Sequence, residues 1–201
     1  MADARSQLAP GFLIASPPLG DPNFDRTVVL LAMHGPSGAL GFVVNRDAPL
    51  GIAELLNLAG YGEQDKVDAT PVLLGGPVQP SSGWICWLDS DLECAHSGII
   101  EVGDRVKVSS SRDAFDALAK DVPAAAAASA AARKRRMVLL GYSGWGPGQL
   151  EGEIATGAWL PVPLDAGVLF DLPNDKRWEG AYALLGLTPA VGMSMRTVGE
   201  A

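Results

Sequence analysis

Cysteine is almost missing from this chain: its 201 residues contain two, Cys86 and Cys94. Two thiols cannot build a disulfide framework, so stability has to come from a packed core. Histidine is as scarce, with His34 and His96 alone. Together these four make a zinc set on paper, but Cys86-x7-Cys94-x-His96 matches no compact knuckle, and no metal is assigned. No apolar run approaches the roughly 18–20 residues that cross a bilayer, so no membrane partner is expected. Residues 1–10 carry no basic region followed by an apolar stretch, and the expected compartment is the cytoplasm. Positive charge is the last shortage, with 15 Lys and Arg against 23 Asp and Glu. Duplex affinity rests on cations that replace phosphate counterions, so no sequence-specific nucleic-acid partner is expected. The one basic run, Arg133 to Arg136, reads as a solvated face.

What remains is an ordinary globular composition, 48% hydrophobic and 19% charged, best read as one domain. The continuous apolar run from Arg26 to Met33 predicts a central strand, and Gly35-Pro36-Ser37-Gly38 turns it into a hairpin with Ala39–Asn45. Gly11–Ser16, Val72–Leu74, Trp84–Leu88, Gly98–Val102 and Met137–Tyr142 read as further strands. Val106 and Val108 alternate with polar residues like an edge strand. Helices are predicted at Ile52–Ala59, after a Ser110–Asp113 capping box, at Leu150–Thr156 and at Asn174–Leu185. Strands and helices do not alternate as βαβ units, so the fold class is α+β. The run Pro123–Ala132, almost all alanine, reads as a surface insertion at about 121–136, with Pro123 opening a short helix.

The segment Gly141–Glu151, G-Y-S-G-W-G-P-G-Q-L-E, is the most informative. A Gly-rich loop before a helix can aim N–H groups at an anion. However, Glu151 and Glu153 already complement the helix dipole, and the spacing fits no nucleotide motif, so no cofactor is assigned. A structural turn around a packed Trp145 is the favoured reading. Ser143 fails the nucleophile-elbow pattern because Trp145 replaces its last glycine, and neither histidine has a neighbouring acid. Asn23 and Arg26 precede one strand of the hairpin; Asn45 and Arg46 follow the other. They therefore share an end of the sheet, near the 141–151 loop if the strands leading to each run parallel. One reading makes Asn23, Arg26, Asn45, Arg46, Ser143, Trp145, Gln149 and Glu151 a polar ligand site. The other makes them loop anchors, such as Arg46 with Glu151. The odd spacing of Trp84 and Trp87 sends their indoles to opposite faces, one of them a candidate interaction patch.

These motifs, G-F-L-I-A-S-P from Gly11, D-P-N-F-D-R from Asp21, G-A-L-G-F-V-V-N-R, L-L-G-G-P-V-Q and G-Y-S-G-W-G-P-G-Q-L-E, resemble the YqgE/AlgH family over nearly the whole chain. The resemblance implies a strongly bent, split mixed sheet forming a partial barrel with helices packed outside. It also brings a label of transcriptional regulator, although no DNA-reading helix is evident here. The sequence departs from the family pattern at Met33, where an acid often precedes the histidine, in the alanine run, and in the tail from Val191. The functional expectation is a regulatory or interaction domain binding a protein or small molecule at the loop-rich end of its sheet. An enzyme of unknown class, such as a hydrolase, is the alternative.

Overall fold

The computed structural model describes residues 8–17, 24–62, 70–94, 98–125 and 135–188. Among the described residues, nine strands and five α-helices follow in chain order. The strands are β1 (Gly11–Ala15), β2 (Val28–Gly35), β3 (Gly38–Val43), β4 (Val72–Leu74), β5 (Val78–Leu88), β6 (Ile99–Gly103), β7 (Val106–Ser109), β8 (Arg136–Trp145) and β9 (Trp159–Pro163). The helices are α1 (Ile52–Leu58), α2 (Arg112–Ala125), α3 (Gln149–Ala155), α4 (Ala166–Phe170) and α5 (Arg177–Ala183). The strands order as β6-β7-β5-β8-β3-β2-β1-β9, with β4 added to β8 as the one parallel pair. This α+β sheet is open and does not form the partial barrel implied by the resemblance: no ladder joins β6 to β9 among the described residues. Pro161 and Pro163 on β9 lack the N–H that a further strand would need, which suits an edge.

Strand β2 is central, as its sequence requires. Val28 to Leu31 are wholly buried, because both faces of the sheet are covered there. Alternation divides the core cleanly. Phe12, Leu30, Phe42, Cys86 and Leu139 enter a first cluster with Trp178 and Tyr182 of α5. Ile85, Trp87 and Val138 meet α1 and α2 in a second, through Leu56 and Leu118. Leu13, Val29, Leu31 and Val43 form a third with Trp145, Trp159 and Leu150 of α3. Trp84 and Trp87 do take opposite faces, but each joins a core cluster, so neither marks an interaction patch.

Several boundaries differ from the sequence reading. Strand β7 lies between β6 and β5, so Val106 and Val108 belong to an interior strand whose polar neighbour Lys107 pairs with Asp89. The cap of α2 is Ser111, whose Oγ accepts from the Ala114 N–H at 3.3 Å. That helix continues through Pro123, so the proline lies inside α2 and not at the start of a separate helix. Both ends of the 121–136 range belong to the core: Val122 is buried, and Arg136 lies inside with its guanidinium on Thr70 and Asp121. Arg135 makes a two-pronged pair with Asp171, at 2.8 Å for each bond. Of the four cations read as a solvated face, Arg136 is instead buried, while Arg135 stays exposed in its pair with Asp171. Most of the alanine run, and the tail from Val191, lie outside the described residues.

Strand β8 holds the sheet together. Its first part pairs with β5 and β4, and its last three residues pair with β3. The change comes just after Gly141, at φ +71°, where the Gly75-Gly76 bend crosses the strand. A Cβ on Gly141 would sit 2.5 Å from the Gly76 carbonyl oxygen. One on Gly76, itself at φ +154°, would sit 2.3 Å from the Tyr142 carbonyl carbon. The glycines of both motifs thus permit backbone to pass directly over backbone. Gly141→Ala should cost about 2–4 kcal/mol, from left-handed strain and overpacking. Gly152→Ala, in α3 with open space around it, should be neutral or slightly stabilising. Urea melts of the two variants check the contrast in sign.

Candidate functional site

The antiparallel pairing of β3 with β8 decides how the sequence-derived candidates are distributed. Ala39 faces Trp145 and Gly41 faces Ser143, so the exits of these two strands lie at opposite ends. Arg46 and Glu151 are therefore not partners, and the single site joining them is not formed. Asn45 and Arg46 instead hold the turn that precedes β2. Asn45 accepts from the Val28 N–H at 2.9 Å and donates to the Arg26 carbonyl at 2.8 Å, while Arg46 donates to the Asp25 carbonyl at 3.1 Å. These bonds fix Arg26 at φ +51° and leave its guanidinium over the Trp178 ring, 5.7 Å from the centroid. The loop-anchor reading describes this group. Asn23 lies outside the described residues.

Glu151 finds a different partner. Its Oε1 lies 2.9 Å from His34 Nε2, joining the β2–β3 hairpin to α3 across 117 residues of sequence. The other ring nitrogen of His34 accepts a long, 3.5 Å bond from the Leu8 N–H, so Nε2 is the nitrogen that donates to the carboxylate. An acid does orient this histidine, although Met33 stands where the family often has one. The carboxyl of Glu151 titrates below its ordinary range, first because its own backbone N–H binds it and then because of His34. Ser143 is distant from this chemistry. It sits within β8, not on a loop, and its buried Oγ donates to the Gly75 carbonyl at 3.5 Å. No Ser143–His34 pair exists.

Ser143, Trp145 and Gln149 do come together, around a residue the sequence reading left in the helix dipole. Glu153 Oε2 accepts from the indole Nε1 of Trp145 at 2.9 Å and of Trp159 at 2.7 Å. Its Oε1 accepts from Gln149 Nε2 at 2.8 Å, and Gln149 Oε1 takes the Gly146 N–H at 3.1 Å. The Gly146 and Gln149 backbone donors are thus used inside the loop, not aimed at an anion. The two indoles meet edge-on at 6.0 Å, and Phe24 adds an edge contact to Trp159 at 5.3 Å. Gly41 makes room, since a Cβ there would lie 3.3 Å from the Trp145 ring and 2.6 Å from Val29. Beside this assembly lies a pocket of about 360 Å³, walled by Phe24, Trp145 and Trp159, with Ser143, Gln149 and Glu153 as its polar side chains. The i, i+4 spacing of Gln149 and Glu153 was the available sequence signal. The indoles reach Glu153 only through the tertiary fold.

A larger depression of about 520 Å³ lies between residues 90–94 and α2. Three of the carboxylates lining it are already employed: Asp91 accepts from the Arg135 N–H, Asp116 from Tyr61 and Asp121 from Arg136. Cys86 is wholly buried, and desolvation pushes its thiol up to about 12, leaving it inert. Among the described residues no three His, Cys, Asp or Glu side chains converge as a metal site, and no helix is long and apolar enough to cross a membrane.

The model of a protein family described as AlgH-like matches residues 12–190. The chain belongs to the AlgH-like family. A UPF0301 protein of Anaeromyxobacter dehalogenans strain 2CP-1 is 41% identical over 193 residues, covering 94% of this chain and 93% of the relative. One from Thioalkalivibrio sulfidiphilus is 39% identical over 184 residues, covering 92% of each. The solution structure of the AlgH protein from Pseudomonas aeruginosa superposes with a TM-score of 0.72 at 33% identity, over 95% of both chains. A crystal structure from Corynebacterium diphtheriae, at TM-score 0.65 and 19% identity over 89% of this chain and 88% of that one, shares the fold. The AlgH-like motifs named from the sequence therefore mark structural crossings and the indole assembly of this fold.

The pairing of His34 with Glu151 makes a pH prediction. A carboxyl with a lowered folded pKa adds stability that is present above the unfolded value, about 4.3, and is lost as pH falls through the folded value. Between about pH 6 and pH 3, wild type should therefore lose more stability than Glu151→Gln. An NMR titration should place the Glu151 carboxyl below its ordinary range. It should rise in His34→Ala without returning fully, because the backbone N–H remains.

Proposed function

We propose that this protein is a small-molecule-binding domain whose site is the pocket beside α3, between the Phe24 turn, the end of β8 and the start of β9. One observation carries the reading. Two buried indoles, a glutamine and a carboxylate converge on one point beside an open volume of about 360 Å³, within the range of ligand sites. Its walls combine three aromatic side chains with Pro77, Val78 and Ala158 and a few polar groups held fixed by hydrogen bonds, a composition that orients a ligand at small conformational cost. The site differs from the loop-rich strand ends expected from sequence, since the side chains there serve to anchor the β1–β2 turn. A binding or regulatory role is favoured over hydrolysis because the buried Ser143 has no histidine beside it, and His34 is engaged at both ring nitrogens. Commitment of Arg135 and Arg136 to Asp171 and Asp121 also supports a partner other than nucleic acid.

Filling the pocket tests the reading. Ala158 lines it and is partly exposed, so Ala158→Trp should occupy the volume while the core stays intact. Wild-type protein equilibrated with a bacterial metabolite extract should retain a small molecule in native mass spectrometry, and the variant should lose it. Equal retention by both, or none by wild type, would remove the pocket as the site.

A further inference from the structure

Among the described residues that line the pocket, one side chain is ionisable, Glu153. Its carboxylate accepts three N–H bonds, all from neutral groups: two indoles and an amide. These donors fix the carboxylate in place and bring no positive charge to it. Among the described residues no lysine or arginine lines the pocket, and neither Trp145 nor Trp159 can supply a cation. A carboxylate offers about four lone-pair positions, so one acceptor direction remains after the three bonds. Phe24, Trp145 and Trp159 contribute to the walls around it, beside Pro77, Val78 and Ala158. Aromatic faces attract cations, and a half-buried carboxylate attracts one more strongly than the same group in bulk water.

We propose that this pocket recognises an ammonium group: a small alkyl- or aryl-ammonium ligand whose apolar body lies on the rings while its N–H donates to Glu153. The inference rests on the pocket being the binding site. It gives that site a charge preference, since an anion there would face an unscreened carboxylate and a neutral ligand would leave the charge unmatched. It also explains why the carboxylate is held so firmly. A fixed acceptor binds a donor without first being ordered.

Three probes of one ring and three charges separate the possibilities: benzylammonium, benzyl alcohol and benzoate. Binding is read from the indole N–H resonances of Trp145 and Trp159 in the full chain. Benzylammonium should shift both and bind about tenfold or more tighter than benzyl alcohol, with benzoate weakest. Glu153→Gln keeps a carbonyl oxygen for the indole donors and should level the three. If that variant does not fold, the comparison on the unmodified chain decides alone. Benzyl alcohol or benzoate binding as tightly as benzylammonium would overturn the charge preference and leave the pocket standing. So would a tenfold preference that survives in Glu153→Gln. All three probes leaving both indoles unmoved at millimolar concentration would overturn the pocket and the preference together.

Discussion

At Gly141 the strand β8 exchanges one set of partners for another, and the architecture depends on that exchange. Before it, β8 lies between β4 and β5; after it, Ser143 to Trp145 lie against β3. The exchange is possible because Gly75 and Gly76 cross the strand at backbone distance, where any Cβ would collide with a peptide group. A side chain at these positions would force the two halves of the sheet apart, and with them the first core cluster, to which both halves contribute Phe42, Leu139 and Cys86. The strand order, the placement of α3 and the position of Trp145 follow from this one contact.

Trp145 is the link from fold to site. It is the last residue of β8, it lies over the space left by Gly41, and its indole N–H reaches Glu153 two residues from the end of α3. Trp159 opens β9 and donates to the same oxygen. One carboxylate therefore ties the end of β8, a helix and the edge strand together. Its removal would leave two largely buried indole donors unpaired, at about 1–3 kcal/mol each. The same carboxylate lines the pocket, so the structural clamp and the proposed ligand contact share Glu153. The clamp on the Phe24 turn, made by Asn45 and Arg46, supplies the facing wall from another part of the chain.

Local signals in the sequence were strong where one element decides the outcome. The buried run of β2, its two-residue hairpin turn and the helical faces of α1, α3 and α5 follow from period and punctuation alone. The family motifs were legible too, but their meaning was not. Glycines spaced by two after Gly141 look like a loop, whereas the chain stays extended to Trp145 because β3 pairs with it. The direction of that pairing could not be read from either strand. Assuming it parallel joined Arg46 to Glu151, while the antiparallel pairing sends Glu151 to His34 instead. Of the residues lining the proposed site, Ser143, Trp145 and Gln149 were already sequence candidates because they share one segment. Glu153 was hidden in a helix where acids are common, and Trp159 and Phe24 come from segments whose meeting only the sheet order specifies.

The central claim is that one carboxylate holds both indoles beside the pocket. Hydrogen exchange of the two indole N–H groups, resolved by NMR in the wild-type chain and in Glu153→Ala, measures it directly. Both protons should be slowly exchanging in wild type, and both should lose protection together in the variant while the backbone amides of β2 keep theirs. Protection of only one indole in wild type, or protection of both that survives in Glu153→Ala, would contradict the account.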